Sequence, residues 1–437
     1  MQVVYSRCCG LDVHKASITA CVLVFDGEGR RSVRKKEFAT HSRALANLRF
    51  WLAASKVQCV AMESTGVYWK PVWNALEGHL ILVLANPYQV KNLPGRKTDQ
   101  HDSEWLADLL AHGLVRPSFV PPREVRELRD LTRHRVKLTE ERTRIHNRIH
   151  KVLEDAGIKL DIVATDILGA TGQAIIRALI AGEQRADWLA DKAKSRLRAK
   201  RNELRLALRG RVTDHHRWML SELMSEWEST QRKMLSVDQQ LSRRMAPYEE
   251  LVGRLCTIPG VNVLTAWILL AELGPDMSVF ADSQHLASWA GLCPGNCQSA
   301  GKRLSNRIRK GNRWIRRALC QSAWAVTHKQ DCYLTAYFYR QAAHQGLRKA
   351  IVATAHHLLT IAYAVLRDRS VYQELGGDYF DRLHPERVQN RLLRRLERLG
   401  LEVHVRAKAP APNSLPTRPR GRPHKPIQNV SVDQQST

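Results

Sequence analysis

Apolar residues fall into short runs near the start of the chain and into helical spacing further on. Cys8–Val13, Ser17–Phe25 and Ser32–Phe38 read as strands, and Gly27 and Gly29 punctuate the turn between the second and third, as in a meander. His41–Ser55 then spaces Leu45, Leu48 and Leu52 as one face of a helix. Val57–Met62 and Leu80–Leu84 are buried-strand candidates. Asp99–His112 sets Trp105, Leu106, Leu109 and Leu110 along one helical side. The expected order is three strands, helix, strand, helix, strand, helix.

After Pro121-Pro122 the pattern changes. Arg123–Lys151 holds ten Lys/Arg and five acids, with Val125, Leu128, Leu131, Leu138, Ile145 and Ile149 at roughly helical spacing. Trp188–Tyr248 has a similar helical pattern, and Lys192–Arg211 within it carries nine basic residues and one acid, Glu203. Both segments predict long antiparallel helices or a coiled-coil hairpin. From Leu251 to Asp368 the chain is apolar and glycine-punctuated. The uncharged run Ala350–Leu366 has His356 and His357 at its centre and is about 17 residues long, short for a membrane span. It reads as a buried helix. The tail holds six prolines between Pro410 and Pro426 and no acid between Glu402 and Asp433, a composition that favours disorder. Four regions are expected: an α/β domain over 1–118, a helical region over 119–250, a mainly α domain over 251–370 and a basic tail over 371–437.

Charge narrows the function. The 437 residues include 69 Lys+Arg against 42 Asp+Glu, a formal net charge of +27. Such an excess favours a polyanionic partner, and nucleic acid is the commonest. No basic amphipathic anchor or lipidation signal points to a membrane. Nine cysteines, irregularly spaced, lack the paired spacing of a structural zinc site. A reduced, cytoplasmic setting is expected.

Candidate chemistry begins with four acids. Asp12 closes the first strand in Gly10-Leu11-Asp12-Val13, and Glu63 ends another in Val60-Ala61-Met62-Glu63. A carboxylate in an apolar strand is costly unless it is paired or binds metal. Asp99 and Asp102, three apart, share one helix face near its start. Four carboxylates suit a hard cation such as Mg²⁺, with two ions expected for phosphodiester chemistry. Taken singly, Asp99 also suits a helix N-cap and Asp12 a strand-end turn.

A second group lies toward the C-terminus. Leu255–Val261, with Ile258-Pro259-Gly260, resembles a helix-hairpin-helix turn, where Gly260 would let backbone N–H groups approach a phosphate. Gln298-Ser299-Ala300-Gly301-Lys302 leads into Lys302–Arg317, which has eight Lys/Arg and no acid. Ser299 flanked by small residues is a candidate nucleophile, or a turn serine before a basic helix. Lys302, Arg303, Arg307, Arg309, Lys310 and Arg313 are candidate phosphate contacts. Arg420-Gly421-Arg422-Pro423 resembles an AT-hook core, giving Arg420 and Arg422 a minor-groove role.

Seven motifs in order, over roughly residues 8 to 370, resemble the insertion sequence 110 family of transposases. They are Gly10-Leu11-Asp12-Val13-His14-Lys15, Met62-Glu63-Ser64-Thr65-Gly66, Lys97-Thr98-Asp99-Gln100-His101-Asp102, Ile258-Pro259-Gly260-Val261, Gly291-Leu292-Cys293-Pro294-Gly295, Gln298-Ser299-Ala300-Gly301-Lys302 and Arg309-Lys310-Gly311-Asn312-Arg313. The element order of the first domain is likewise that of a ribonuclease H-like fold, a fold-level analogy. The resemblance implies a RuvC-like domain whose catalytic, metal-holding tetrad is Asp12, Glu63, Asp99 and Asp102. It also implies a C-terminal transposase domain with Ser299 as nucleophile, a coiled-coil region between them, a homo-oligomer (dimer or tetramer), and a structured RNA from the element that selects donor and target DNA. The expected reaction is strand cleavage and exchange through a phosphoserine–DNA intermediate. Two alternatives stand beside it: a hydrolytic nuclease or junction resolvase using the same acids, and a non-catalytic nucleic-acid-binding protein.

Overall fold

The computed structural model describes residues 2–64, 66–87, 90, 102–295, 297–299, 302–305, 308 and 310–403, with 297–299 and 302–305 described as backbone. Three strands open the chain: β1 (Arg7–Val13), β2 (Ser17–Phe25) and β3 (Arg31–Ala39). Helix α1 (Ser42–Ala54), β4 (Cys59–Glu63), α2 (Trp69–Leu76), β5 (Ile81–Ala85) and α3 (Asp102–Ala111) follow. The five strands form one mixed sheet in the order β3-β2-β1-β4-β5, antiparallel among the first three and parallel from β1 to β4 to β5. The expected order of elements is therefore found, and the edge strand β3 is almost wholly exposed and rich in Arg and Lys, which discourages pairing with another chain.

Strand alternation divides the core in two. Leu11, Val60, Met62 and Leu84 pack with Leu48 and Leu52 of α1 and Trp73 and Leu76 of α2. Cys8, Cys21, Cys59, Ala61 and Val83 face the other way, onto Leu106, Ala107 and Leu110 of α3. Burial raises the Cys8 thiol to about 12 and those of Cys21 and Cys59 to about 11, so these thiols are core atoms and not nucleophiles.

Helix α4 (Arg123–Asp155) is 33 residues long. It is followed by α5 (Leu160–Val163), α6 (Ala170–Ile180), α7 (Ala186–Ala190), a 3₁₀ turn at Ser195–Lys200, α8 (Arg201–Ala207) and the 32-residue α9 (Asp214–Met245). Side-chain bonds Glu127–Arg244, Arg135–Asp238, Arg148–Glu226 and Asp155–His216 show α4 and α9 to be antiparallel. Trp188–Tyr248 differs from its sequence pattern: α7, the 3₁₀ turn and α8 break it before α9 begins. Thr213 starts α9 with a capping box whose other half is His216. The short helices pack Ile175, Ile176, Leu189 and Leu204 against Ile149 and Leu220 of the long pair.

After a 3₁₀ turn at Ala246–Tyr248 come α10 (Glu249–Cys256), α11 (Val263–Leu273), α12 (Ser283–Ala290), a hairpin of β6 (Cys297–Ser299) and β7 (Lys302–Ser305), α13 (Arg313–Val326), α14 (Tyr333–Gln345) and α15 (Leu347–Arg367). Among the described residues α15 is the one helix long and apolar enough to cross a membrane. It runs instead through the core, with Ala350, Ala355, Leu359 and Ala362 fully buried, as its sequence predicts. Residues 378–437 form a separate unit, whose described helices are α16 (Tyr379–Leu383) and α17 (Pro385–Arg398).

Candidate active site

Three of the four N-terminal carboxylates come to one side of the sheet. Leu11 pairs with Met62 across the parallel strands β1 and β4, and the next residues are Asp12 and Glu63. Because Cys8 and Gly10 precede Asp12 at steps of two, and Cys59 and Ala61 precede Glu63, alternation turns both acids to the face covered by α3. Asp102 is the first residue of α3, where the helix dipole favours an anion.

Gly10 makes this placement possible. A Cβ there would stand 2.1 Å from the Ser103 carbonyl oxygen and 2.6 Å from the Ala107 nitrogen, so α3 rests on the bare backbone of β1. The Cys8 thiol donates to the Ala107 carbonyl at 3.4 Å. Moving two residues along β1, from Cys8 to Gly10, thus moves one turn back along α3, from Ala107 to Ser103. The two elements run in opposite directions, and the start of α3 lies toward Asp12.

Asp12 is one-third exposed, with His14 Nε2 at 3.1 Å from its Oδ2. Glu63 and Asp102 are half-buried, and Asp102 Oδ1 is inaccessible. These donors are oxygen atoms on rigid elements and suit a divalent cation. Among the described residues, the one trio with ligand atoms all within 4.8 Å of one another lies elsewhere, at His150, Glu154 and Asp161. That trio is explained by pairing: His150 Nε2 lies 3.2 Å from Asp161, whose acidity it increases, and Lys159 holds Glu154.

Asp99, Arg307, Arg309, Arg420 and Arg422 lie outside the described residues. Ser299 is not in a turn before a basic helix. It ends β6, opposite Lys302 at the start of β7, and Arg303 pairs with Gln298. Among the described residues, the basic stretch Lys302–Arg317 therefore begins as a strand and is helical from Arg313. A bridge between Pro294 and Ile308, and a hydrogen bond from the Asn312 N–H to the Trp289 carbonyl, tie this hairpin to the end of α12. Lys310 and Arg313 are exposed. Gly260 occupies the turn between α10 and α11 at φ +83°, and a Cβ there would meet the Ser322 carbonyl oxygen at 2.6 Å. Close packing on α13 is thus sufficient reason for glycine at this position.

Sequence reasoning missed Glu272. It is fully buried at the end of α11 and accepts from Arg133 Nε and Nη2 at 2.7 and 2.9 Å and from Asn312 Nδ2 at 2.7 Å. Arg129 lies 3.2 Å away and also donates to the backbone carbonyls of Ala271 and Glu272. Burial lowers the Arg129 guanidinium to about 10, with Glu272 opposing the shift. The signal was present: Glu272 is the sole charged residue in the apolar helix α11. Asn312, in turn, caps α13 by accepting from the Trp314 and Ile315 N–H groups. One buried carboxylate thus joins the long helix α4 to the basic segment that follows Ser299.

Several α4 cations counted as nucleic-acid candidates by charge are engaged internally. Arg126 binds Glu77, which follows α2, at 2.6 Å, Arg135 binds Asp238, and Arg148 binds Glu226. Lys137, Arg142, Arg144 and Lys151 form no ion pair among the described residues.

Carboxylates at the ends of two central strands, in a chain of net charge +27, suit a protein that handles nucleic acid. The chain belongs to the IS110 family of transposases. A transposase family model named for the DEDD domain of IS110 matches residues 9–158, and a model described as the IS116/IS110/IS902 transposase family matches residues 252–340. The chain is 34% identical over 121 residues to an uncharacterized 43.6 kDa protein of insertion element IS110 from Streptomyces coelicolor, covering 27% of this chain and 29% of that protein. It is 26% identical to the transposase for insertion sequence element IS1111A of Coxiella burnetii, over 74% of this chain and 81% of the relative. It is 24% identical to a pilin gene-inverting protein of Moraxella bovis, over 84% of this chain and 97% of the relative.

Proposed function

We propose that this protein is a DNA transposase or recombinase that cleaves and rejoins strands at a site built from the N-terminal carboxylates and Ser299. The observation that carries the reading is the in-register placement of Asp12 and Glu63 on the face where α3 begins with Asp102. The family resemblance adds Asp99, three residues before Asp102 in sequence, as the fourth member. The donor set fits one or two divalent cations, Mg²⁺ by ligand type, and the family resemblance adds the RuvC-like assignment. A bound cation would neutralise the carboxylates and stabilise charge on a scissile phosphate.

In this reading Ser299 Oγ forms a bond to phosphorus, and the bond from phosphorus to the departing 3′-oxygen breaks, leaving that strand with a free 3′-hydroxyl. A 3′-hydroxyl of the partner duplex then displaces the serine, so the number of phosphoester bonds is conserved. Lys302, whose backbone pairs with that of Ser299 in the hairpin, would offset charge on the phosphate. Arg303, Arg307, Arg309, Lys310 and Arg313 supply backbone contacts, and Arg420 and Arg422 a minor-groove contact. The family resemblance adds a guide RNA and a homo-oligomer. The unpaired cations Lys137, Arg142, Arg144 and Lys151 support a nucleic-acid contact along α4.

Strand cleavage of the element's junction DNA tests the acidic site. Cleavage is expected with Mg²⁺, is lost with chelator, and is lost in Asp12→Asn, Glu63→Gln and Asp102→Asn proteins that remain folded. Metal-independent cleavage, or full activity of those variants, would overturn the assignment.

A further inference from the structure

We infer that a second site, on the opposite side of the sheet from the carboxylates, takes a single unstacked nucleotide. A cavity of about 1030 Å³ lies between the first domain, α4 and the segment around α12 and α13. Its wall on the sheet side includes Leu82 and Trp73, which pack with Leu11 and Met62 and so belong to the face away from Asp12 and Glu63. The volume is near the top of the ~300–1,000 Å³ range of small-molecule sites. A paired duplex is read from its grooves and does not enter such a space, whereas a base taken out of the stack does.

The lining has the chemistry of a nucleotide. No Asp or Glu is among its described lining residues. Arg116, Lys310 and Arg313 all line it and have no carboxylate partner among the described residues. Trp314 carries Arg313 at 4.6 Å on its ring and Arg133 at 5.5 Å, while Arg133 itself is neutralised by Glu272. Phe119 and Trp289 stand 5.8 Å apart, and each also meets Phe280. Unpartnered cations beside half-buried aromatic faces bind a phosphate and stack a base, with little regard for base identity. The cavity also spans residues on both sides of the Glu272 network, so an occupant would bridge the first domain and the basic segment after Ser299.

This inference rests on nucleic acid being the substrate, but not on the carboxylates or Ser299 being catalytic. The test uses the full chain in chelator, so that no cleavage intervenes, and fluorescence anisotropy of labelled duplexes. One duplex is fully paired, one carries a single bulged nucleotide, and one carries a bulged abasic residue; each is made in DNA and in RNA. The bulged nucleotide is expected to bind at least about fivefold more tightly than the paired duplex in one or both nucleic acids, and the abasic residue to lose that advantage. Trp314→Leu is expected to lose it as well. Arg116 is exposed, so Arg116→Ala keeps the fold and is expected to reduce the advantage and shallow the salt dependence. Equal binding of all three duplexes in both nucleic acids, or an undiminished advantage in both variants, would overturn the inference. Loss of the preference with Mg²⁺-dependent cleavage intact would fail this site alone, and the reverse would fail the catalytic reading alone.

Discussion

Asp12 and Glu63 each lie one residue beyond Leu11 and Met62, the last paired residues of two neighbouring parallel strands. Asp102 opens α3 on the same side of the sheet. A divalent cation bound there would stabilise the fold by mass action, by about 2.7 kcal/mol at a hundredfold excess over its dissociation constant. Mg²⁺ or Mn²⁺ is therefore expected to raise the melting temperature of the protein and not that of Asp12→Asn. An equal rise in both would place the bound ion elsewhere, with His150, Glu154 and Asp161 the alternative ligands to mutate.

Gly10 fixes the distance between β1 and α3. Gly10→Ala introduces a Cβ that must displace the Ser103 carbonyl or the Ala107 amide, both of them backbone. Overpacking of this kind costs ~1–3 kcal/mol. The expected result is a protein destabilised by that amount in urea unfolding and more strongly impaired in cleavage than its remaining folded fraction explains, because Asp102 moves with α3.

Glu272, itself fully buried, is the partner of two guanidinium groups. Glu272→Ala leaves Arg129 and Arg133 without their shared carboxylate, and Asn312 without its acceptor. Breaking a buried pair in this way costs ~3–5 kcal/mol. Chemical denaturation of the variant should show that loss, and limited proteolysis should show increased cutting near Asn312. A change below ~1 kcal/mol would mean that the network contributes little to stability.

The C-terminal core carries a pH dependence. Burial lowers the pKa of His356 and His357 below 6.5, and His357 stacks on Tyr337 at 4.7 Å. The folded state therefore binds fewer protons than the unfolded chain. Stability is fully present above about pH 6.5 and falls as pH drops through the depressed folded values. Melting temperatures measured between pH 7.5 and 5 should fall in the native protein and fall less in His357→Phe.

Much of the mixed sheet and its helices was legible because the strands are apolar and the helices amphipathic: β1, β2, β4, β5 and α1 follow directly from the periodicity. Asp12 and Glu63 stood out as acids closing apolar strands, and α15 as a helix too polar at His356-His357 for a membrane. The β6–β7 hairpin was hidden, since Gln298 to Arg309 has neither an apolar alternation nor a strong turn pair to separate a basic strand from a basic helix. The break at Ser195–Lys200 was hidden for a related reason: its Lys and Arg residues are compatible with a helix, whereas Ser195 takes φ +48° and Leu189 and Leu204 on either side turn into one core cluster. The pairing of Arg126, Arg129, Arg133 and Arg135 depends on carboxylates distant in sequence. Charge counting therefore assigned to a ligand some cations that hold the protein together.

In the proposed mechanism Ser299 and the carboxylates serve one reaction. The most direct measurement is a denaturing gel of junction DNA incubated with the protein, Mg²⁺ and RNA transcribed from the element's non-coding flank, beside Ser299→Ala and Asp12→Ala proteins. A DNA-linked protein band that is absent from both variants is the predicted result. Cleavage without a linked band, unchanged by Ser299→Ala and abolished by Asp12→Ala, would contradict it and identify a nuclease that uses water as its nucleophile.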